Sequence, residues 1–177
     1  MPDYFQLTFT DGPGSLYPGQ IADSGTHMLN EEVRSYATET LVWAGRGVVK
    51  GALNTQADPL LTPYKVKQPL AGSVFADFVG IVVRSHSMPG DDVNQEARTS
   101  RATTMVPVAI LGSKAIIGAE VPTGITVAHG DPVYMSVSHA SIPVGKFSNA
   151  AATGLIAITG ATWYGAAAAG TIGRIMV

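Results

Sequence analysis

Short runs of alternating apolar and polar residues, separated by small turn residues, recur along most of this chain. Residues 133–137 and 171–177 are two such runs, and glycine, proline, serine or asparagine lies between the runs. Alternation with a period of two places successive side chains on opposite faces of a strand. The pattern of residues 128–177 therefore predicts the last strands of a β-rich domain.

Upstream, further segments predict strands around glycines. Residues 38–44 and 48–51 are rich in β-forming residues and flank the string Gly45-Arg46-Gly47, so they predict a strand, a tight bend and a second strand. Residues 74–83 are the longest run of this type and predict a central strand. Gly80 within that run marks a bulge or a close approach of another backbone.

The middle of the chain adds a predicted hairpin and two predicted loops. Residues 103–111 and 114–121 are apolar runs on either side of Gly112-Ser113, which predicts a hairpin with a two-residue turn. Residues 54–63 and 84–100 predict loops, the second of them long and exposed.

One segment has weak helical character. Residues 28–36 contain Glu31, Glu32 and Arg34, which favour a short helical turn. Elsewhere no apolar pattern with a period of 3.6 residues is sustained. The sequence therefore predicts an all-β fold, an antiparallel β-sandwich or barrel-like domain with an extended N-terminal arm.

Residues 1–25 are the predicted arm, and residues 26–177 are the predicted single β-rich domain. Glycines and prolines at positions 12–14 and 18–19 interrupt any regular element in the arm. Two interpretations are open: a first strand in the chain's own sheet, or an arm that reaches a neighbouring subunit. The candidate contact residues of the arm are Tyr4, Phe5, Leu7, Phe9 and Tyr17.

Composition favours a subunit of an assembly. Of the 177 residues, 46% are hydrophobic and only 14% are charged, and the formal net charge is -2. An average soluble domain has about 25% charged residues, so burial against other protein is a natural explanation for this surface. We expect a homo-oligomer, a dimer or a trimer. We expect no nucleic-acid partner, because the chain has no strong positive field.

The absence of cysteine excludes a disulfide framework and a cysteine-based zinc site. The first residues lack the basic and apolar regions of a secretory signal, and no stretch stays apolar for long enough to span a bilayer. We expect synthesis in a cytoplasm and no membrane partner.

Histidines and acidic residues come close together in sequence at two places. His86 precedes Asp91 and Asp92, where a solvated loop is favoured over a metal or catalytic cluster. His129 and Asp131 supply two ligands at most, and the string Ala-His-Gly-Asp-Pro favours a β-turn. The chain has no Gly-x-Ser-x-Gly elbow and no phosphate-loop motif. We expect no catalytic, cofactor-binding or metal-binding residues.

Arg46 and the two tryptophans each have more than one possible role. Arg46 lies between glycines without a surrounding basic patch, which favours a structural ion pair or a subunit contact over nucleic-acid binding. Trp43 and Trp163 lie in β-type runs, where tryptophan serves equally as a core residue or as an interface anchor.

Five strings occur in an order that is familiar from one protein family. They are PGQIADSG at 18–25, GRGVVKG at 45–51, FVGIVVR at 78–84, GDPVY at 130–134 and ITGATW at 158–163. In this order they resemble the capsid decoration, or structural cement, proteins of tailed bacteriophages. The likeness spans residues 18–177. It departs at Ala44, where the family commonly has phenylalanine, and in the arm before Pro18, which is longer than expected.

The resemblance implies a non-enzymatic virion protein, made in the host cytoplasm. Such a protein coats the outer face of the mature head and bridges subunits of its partner, the major capsid protein. This role requires an extended contact surface and not a pocket. Strand addition or docking of loops onto the capsid would supply the contact. Two other functions stay open: a β-sandwich glycan-binding or accessory enzyme domain, which would require a convergent polar cluster, and a tail or head-completion component.

Overall fold

A computed structural model describes residues 17–21, 33–54, 63–84, 99–100 and 105–177. These residues form strands with one 3₁₀ helix at Phe75–Asp77, which confirms the predicted all-β fold. No helix in this part of the chain is long and apolar enough to cross a membrane. The strands are β1 Val33–Ala37, β2 Val42–Trp43, β3 Gly47–Leu53, β4 Tyr64–Lys67, β5 Phe78–Val82, β6 Thr99–Ser100, β7 Met105–Ile110, β8 Ile116–Glu120, β9 Pro132–Ser136, β10 Phe147–Ser148, β11 Leu155–Trp163 and β12 Ile172–Met176.

Five strands form a first antiparallel sheet in the order β1-β7-β5-β3-β4. Its edge strands also meet, because Thr38 bridges Val66 of β4 and the amide of Glu39 donates to the carbonyl of Val66 at 2.8 Å. The sheet therefore curls towards a small barrel. The side chains that fill it are Tyr36, Val48, Val66, Val82, Val106 and Val108.

A second antiparallel sheet has the order β10-β9-β11-β12-β8 and packs against the first. Val49, Ile81 and Ala109 of the first sheet share one buried cluster with side chains of the second. Two antiparallel layers around a common apolar core make a β-sandwich. The second sheet's contribution to this core includes Ile117, Met135, Phe147, Ile158, Trp163 and Ile175.

Two glycines are required by the close packing of this core. The Trp163 side chain is fully buried, and a Cβ on Gly173 would come within 2.7 Å of its Cζ3 atom. A Cβ on Gly80 would overlap the carbonyl oxygen of Ala109 on β7. Gly80 is therefore the close backbone approach that the sequence predicts, and Trp163 is a core residue.

The predicted helical turn over residues 28–36 is wrong for the part that the structure describes. Val33–Ala37 forms β1, which pairs with β7 from Val33 opposite Ala109 to Ala37 opposite Met105. Backbone pairing along a whole strand outweighs a weak helical propensity. Residues 28–32 lie outside the described residues.

The predicted hairpin around Gly112 is also wrong. β7 pairs with β1 and β5 in the first sheet, whereas β8 pairs with β12 in the second. A turn does form, since the amide of Ser113 donates to the carbonyl of Ile110 at 3.2 Å and Gly112 has φ +89°. Lys114, with φ +62°, then bends the chain into the other layer. Local turn chemistry does not specify which sheet the next strand joins.

Other predicted elements are confirmed with different bounds. The strand predicted at 74–83 begins at Phe78, and β5 is central because β3 and β7 flank it. The strand predicted at 38–44 is reduced to β2, which pairs with β6 at the end of the predicted loop 84–100. The predicted strands at 48–51, 133–137 and 171–177 are confirmed as β3, β9 and β12.

Candidate functional site

Residues 17–21, within the predicted arm, are hydrogen bonded to β8 of the second sheet and to Arg84, two residues after β5 of the first sheet. The amide of Gly19 donates to the carbonyl of Gly118 on β8 at 2.7 Å, and the amide of Gly118 donates to the carbonyl of Gln20 at 2.8 Å. On the other side, the amide of Arg84 donates to the carbonyl of Gly19 at 2.8 Å. We call residues 17–21 the anchor segment, because these hydrogen bonds attach it to the rest of the described structure.

The anchor segment packs against the turn Gly45-Arg46-Gly47. Gly19 and Gly45 have φ +78° and +74°, and a Cβ on Gly45 would come within 2.6 Å of the Gly19 nitrogen. The amide of Gly45 in turn donates to the carbonyl of Val82 at 2.8 Å. Only glycine combines a left-handed backbone with so close an approach, so these two turns interlock.

Arg46 is half-buried at this junction and has partners within the chain. Its Nη1 atom donates to the carbonyl of Val144 at 3.2 Å, and its guanidinium carbon lies 4.5 Å from the centre of the Trp43 ring. Burial lowers the pKa of Arg46 below its usual value, and the negative charge of Glu120 opposes that shift. These contacts give Arg46 a structural role, and its contact with another subunit stays a prediction.

Tyr17 lies at the outer side of the same junction. The residue is 42% exposed, and the guanidinium carbon of Arg84 lies 4.5 Å from the centre of its ring. The structure thus brings Tyr17 and Arg46 to one region, next to the interlocked turns. The other predicted contact residues, Tyr4, Phe5, Leu7 and Phe9, lie outside the described residues.

A small cleft opens beside the junction and is lined by charged side chains that pair with each other. Lys146 forms an ion pair with Glu120. The other residues that line the cleft are Pro18, Trp43, Ala44, Gly45 and Arg46. Lys146 and Glu120 thus face each other's opposite charge, and Arg46 faces the carbonyl dipole of Val144. These contacts hold together segments of the chain that are far apart in sequence.

The predicted β-turn around His129 is present. The Oδ2 atom of Asp131 accepts hydrogen bonds from the Nδ2 atom of Asn149 at 2.7 Å and from the amide of Ala128 at 2.8 Å, and these bonds lower the pKa of Asp131. Nδ1 of His129 accepts a hydrogen bond from the amide of Gly165 at 3.2 Å. Among the described residues no cluster of three His, Cys, Asp or Glu side chains could hold a metal ion. His86 lies outside them.

Sequence reasoning missed an exposed apolar loop between β4 and β5. Leu70, Val74 and Phe75 are 59%, 54% and 39% exposed. Val74 and Phe75 are good β formers, so the sequence assigned them to the strand at 74–83. The signal that could have separated them is the pair Ser73 and Asp77, whose side chains bond backbone amides of the loop.

Comparison with known proteins assigns the chain to a family. The family model described as structural cement protein (E217 gp24/Pam3 gp6) matches residues 5–177. The chain belongs to this phage structural cement family. The resemblance seen in the sequence is therefore confirmed, and the chain is a phage structural protein. No curated protein matches the chain.

The fold is shared with a protein of known structure. A chain of the solved structure "The capsid of Myoviridae Phage XM1" superposes with a TM-score of 0.65 at 15% sequence identity. The superposition covers 98% of this chain and 96% of that chain. At this identity the likeness shows that the two chains share one fold over nearly their whole length.

Proposed function

We propose that the chain is a capsid decoration protein that binds the outer surface of the mature phage head and stabilises contacts between major capsid protein subunits. The observation that carries this proposal is the match of residues 5–177 to the structural cement family. The fold shared with a chain from a phage capsid supports the same role.

The chemistry of the junction supports a binding role over a catalytic one. Arg46, Glu120 and Lys146 are bonded within the chain, and the Asp131 carboxylate accepts two hydrogen bonds that hold a turn. A catalytic site would require polar groups that converge on a substrate position. These side chains instead hold loops in fixed positions, as a rigid binding module requires.

The strand edges favour loop docking over strand addition. β1 and β4 meet each other through Thr38 and Val66, and the anchor segment bonds β8 through Gly118. β10, the other edge of the second sheet, has only two residues. Because strand addition needs a free row of backbone donors and acceptors, the described strands offer few places for it.

Stabilisation follows from selective binding. A protein that binds the assembled, expanded lattice and not its free subunits lowers the free energy of the assembled state alone. At a free concentration of about 100 times Kd the effect is about 2.7 kcal/mol per site. Repetition of the site by symmetry multiplies this effect over the shell.

The test is a titration of expanded heads that lack the protein. Bound protein is measured by gel densitometry after sedimentation, and particle stability is measured as the temperature of DNA release. We expect saturation at a fixed ratio to the major capsid protein and a higher release temperature. Absence of saturable binding, or an unchanged release temperature at saturation, would contradict the proposal. Sedimentation of the free chain tests the homo-oligomer, which stays a prediction.

A further inference from the structure

The loop between β4 and β5 exposes five apolar side chains within a stretch of seven residues. Residues 70–76 have the sequence LAGSVFA, and no charged residue occurs from 68 to 76. Leu41, which is 40% exposed, lies beside the start of the loop, because Nε2 of Gln68 donates to its carbonyl at 2.6 Å. Single exposed apolar residues are ordinary on protein surfaces, but a contiguous and uncharged group of them marks an interaction site.

Hydrogen bonds hold this loop in one conformation. The amide of Leu70 donates to Oγ of Ser73 at 3.0 Å, and the amide of Ser73 donates to the carbonyl of Leu70 at 2.9 Å. The amide of Val74 donates to Oδ2 of Asp77 at 3.2 Å, and the amide of Asp77 donates back to the carbonyl of Val74 at 3.0 Å. A loop that is already ordered loses little conformational entropy when it binds.

Basic side chains lie at both ends of the loop. Nζ of Lys50 donates to the carbonyl of Ala76 at 2.9 Å, and Lys67 ends the strand that leads into the loop. The two nearby carboxylates, Asp77 and Glu39, accept hydrogen bonds from backbone amides of the chain.

These charges decide between two possible occupants of the loop. In a two-fold contact between copies of the chain the same patch faces itself, so the border that carries Lys50 and Lys67 would face the same lysines of the second copy. Juxtaposed like charges at an interface are costly. The charge pattern therefore fits a different surface, one with an apolar pocket and an acidic rim.

We propose that residues 70–76 are the apolar contact loop that docks into an apolar, acid-rimmed pocket on the assembled capsid shell. This inference rests on the proposed function and adds the contact surface and the chemistry of its partner. The rigid loop supplies buried apolar area, while Lys50 and Lys67 supply the complementary charge at its border.

The test compares two exposed leucines, one in the loop that follows β4 and one at the far end of the β3–β4 ladder. Leu70→Ser removes the most exposed apolar side chain of the loop. Leu53→Ser is the matched control, since Leu53 is 75% exposed and pairs with Tyr64 at the other end of β4. Both side chains are exposed, so we expect unchanged melting temperatures. On expanded heads we expect Leu70→Ser to raise Kd at least about tenfold and Leu53→Ser to leave it unchanged.

The contribution of the lysines to head binding is tested separately. Lys67→Glu is expected to weaken head binding and reduce its dependence on salt, whereas Lys114→Glu, on the connection between β7 and β8, is expected to leave both unchanged. Wild-type binding together with equal binding of the Leu70→Ser variant would overturn this inference and leave the proposed function standing. Failure of the wild type to bind heads would overturn the proposed function itself. A change in the oligomeric state of free Leu70→Ser would make the loop a self-contact and overturn the assignment to the shell.

Discussion

Replacing Gly45 with alanine tests whether the anchor segment is locked onto the Gly45-Arg46-Gly47 turn. A Cβ on Gly45 would come within 2.6 Å of the Gly19 nitrogen and 2.8 Å of the Pro18 Cα atom. Both are backbone atoms, so relief requires displacement of the anchor segment. The expected loss of unfolding free energy has two parts, about 1–2 kcal/mol for alanine in a left-handed conformation and about 1–3 kcal/mol for overpacking.

Gly124→Ala is the matched control for this variant. Gly124 has φ +82°, and no atom lies within 4 Å of its Cβ position, so the substitution carries only the backbone part. We therefore expect Gly45→Ala to lose about 1–3 kcal/mol more than Gly124→Ala, which corresponds to a further fall in Tm of about 2–12 °C. Urea denaturation of both variants measures the difference. Equal losses would refute the interlocking of the two turns.

Three further predictions follow from burial and hydrogen bonding. Trp163→Ala should cost about 3–5 kcal/mol of unfolding free energy, and Trp43→Ala clearly less, because Trp43 is only partly buried; similar losses in urea denaturation would contradict this. The pKa of Asp131 is lowered in the folded state, so its carboxylate stabilises the fold fully above pH 3.8, its usual pKa. This stabilisation is lost as the pH falls through the lower pKa of the folded state. The stability gap between wild type and Asp131→Ala should therefore close in strong acid, and a constant gap would be the contrary result. Burial and a hydrogen bond with Tyr64 raise the pKa of Tyr36 from its usual value of 10.0 to about 12. The resulting stabilisation of the folded state is fully present below pH 10.0 and is lost as the pH rises through the folded pKa of about 12. Spectrophotometric titration should show a late-titrating tyrosine that is missing in Tyr36→Phe, and identical titration curves for the two proteins would contradict this prediction.

Elements whose pattern is local could be predicted from the sequence, and their pairing could not. The alternation of residues 133–137 and 171–177 specifies strands because the buried face is set by the period of two. The turn at Gly112 was also correct, but its neighbouring strands join different sheets. Which strand pairs with which depends on partners that are remote in sequence, so the predicted hairpin was wrong.

The candidate site could likewise be predicted only in part from the sequence. Sequence reasoning selected Tyr17 and Arg46 as residues of interest, but their proximity depends on contacts that join residues 17–21, 45–47 and 118. The apolar loop at 70–76 was missed because β-forming side chains favour a strand whether they are buried or exposed. Exposure is a property of the tertiary structure, and the local pattern did not supply it.

Cryo-electron microscopy of complete virions would show directly whether this chain decorates the outer surface of the capsid. We expect density for this chain on the outer surface of the shell, at symmetry-related positions where it touches at least two major capsid protein subunits. It further predicts that residues 70–76 face the shell next to acidic side chains. Density for the chain only at the tail or the neck, or inside the shell, would contradict the account.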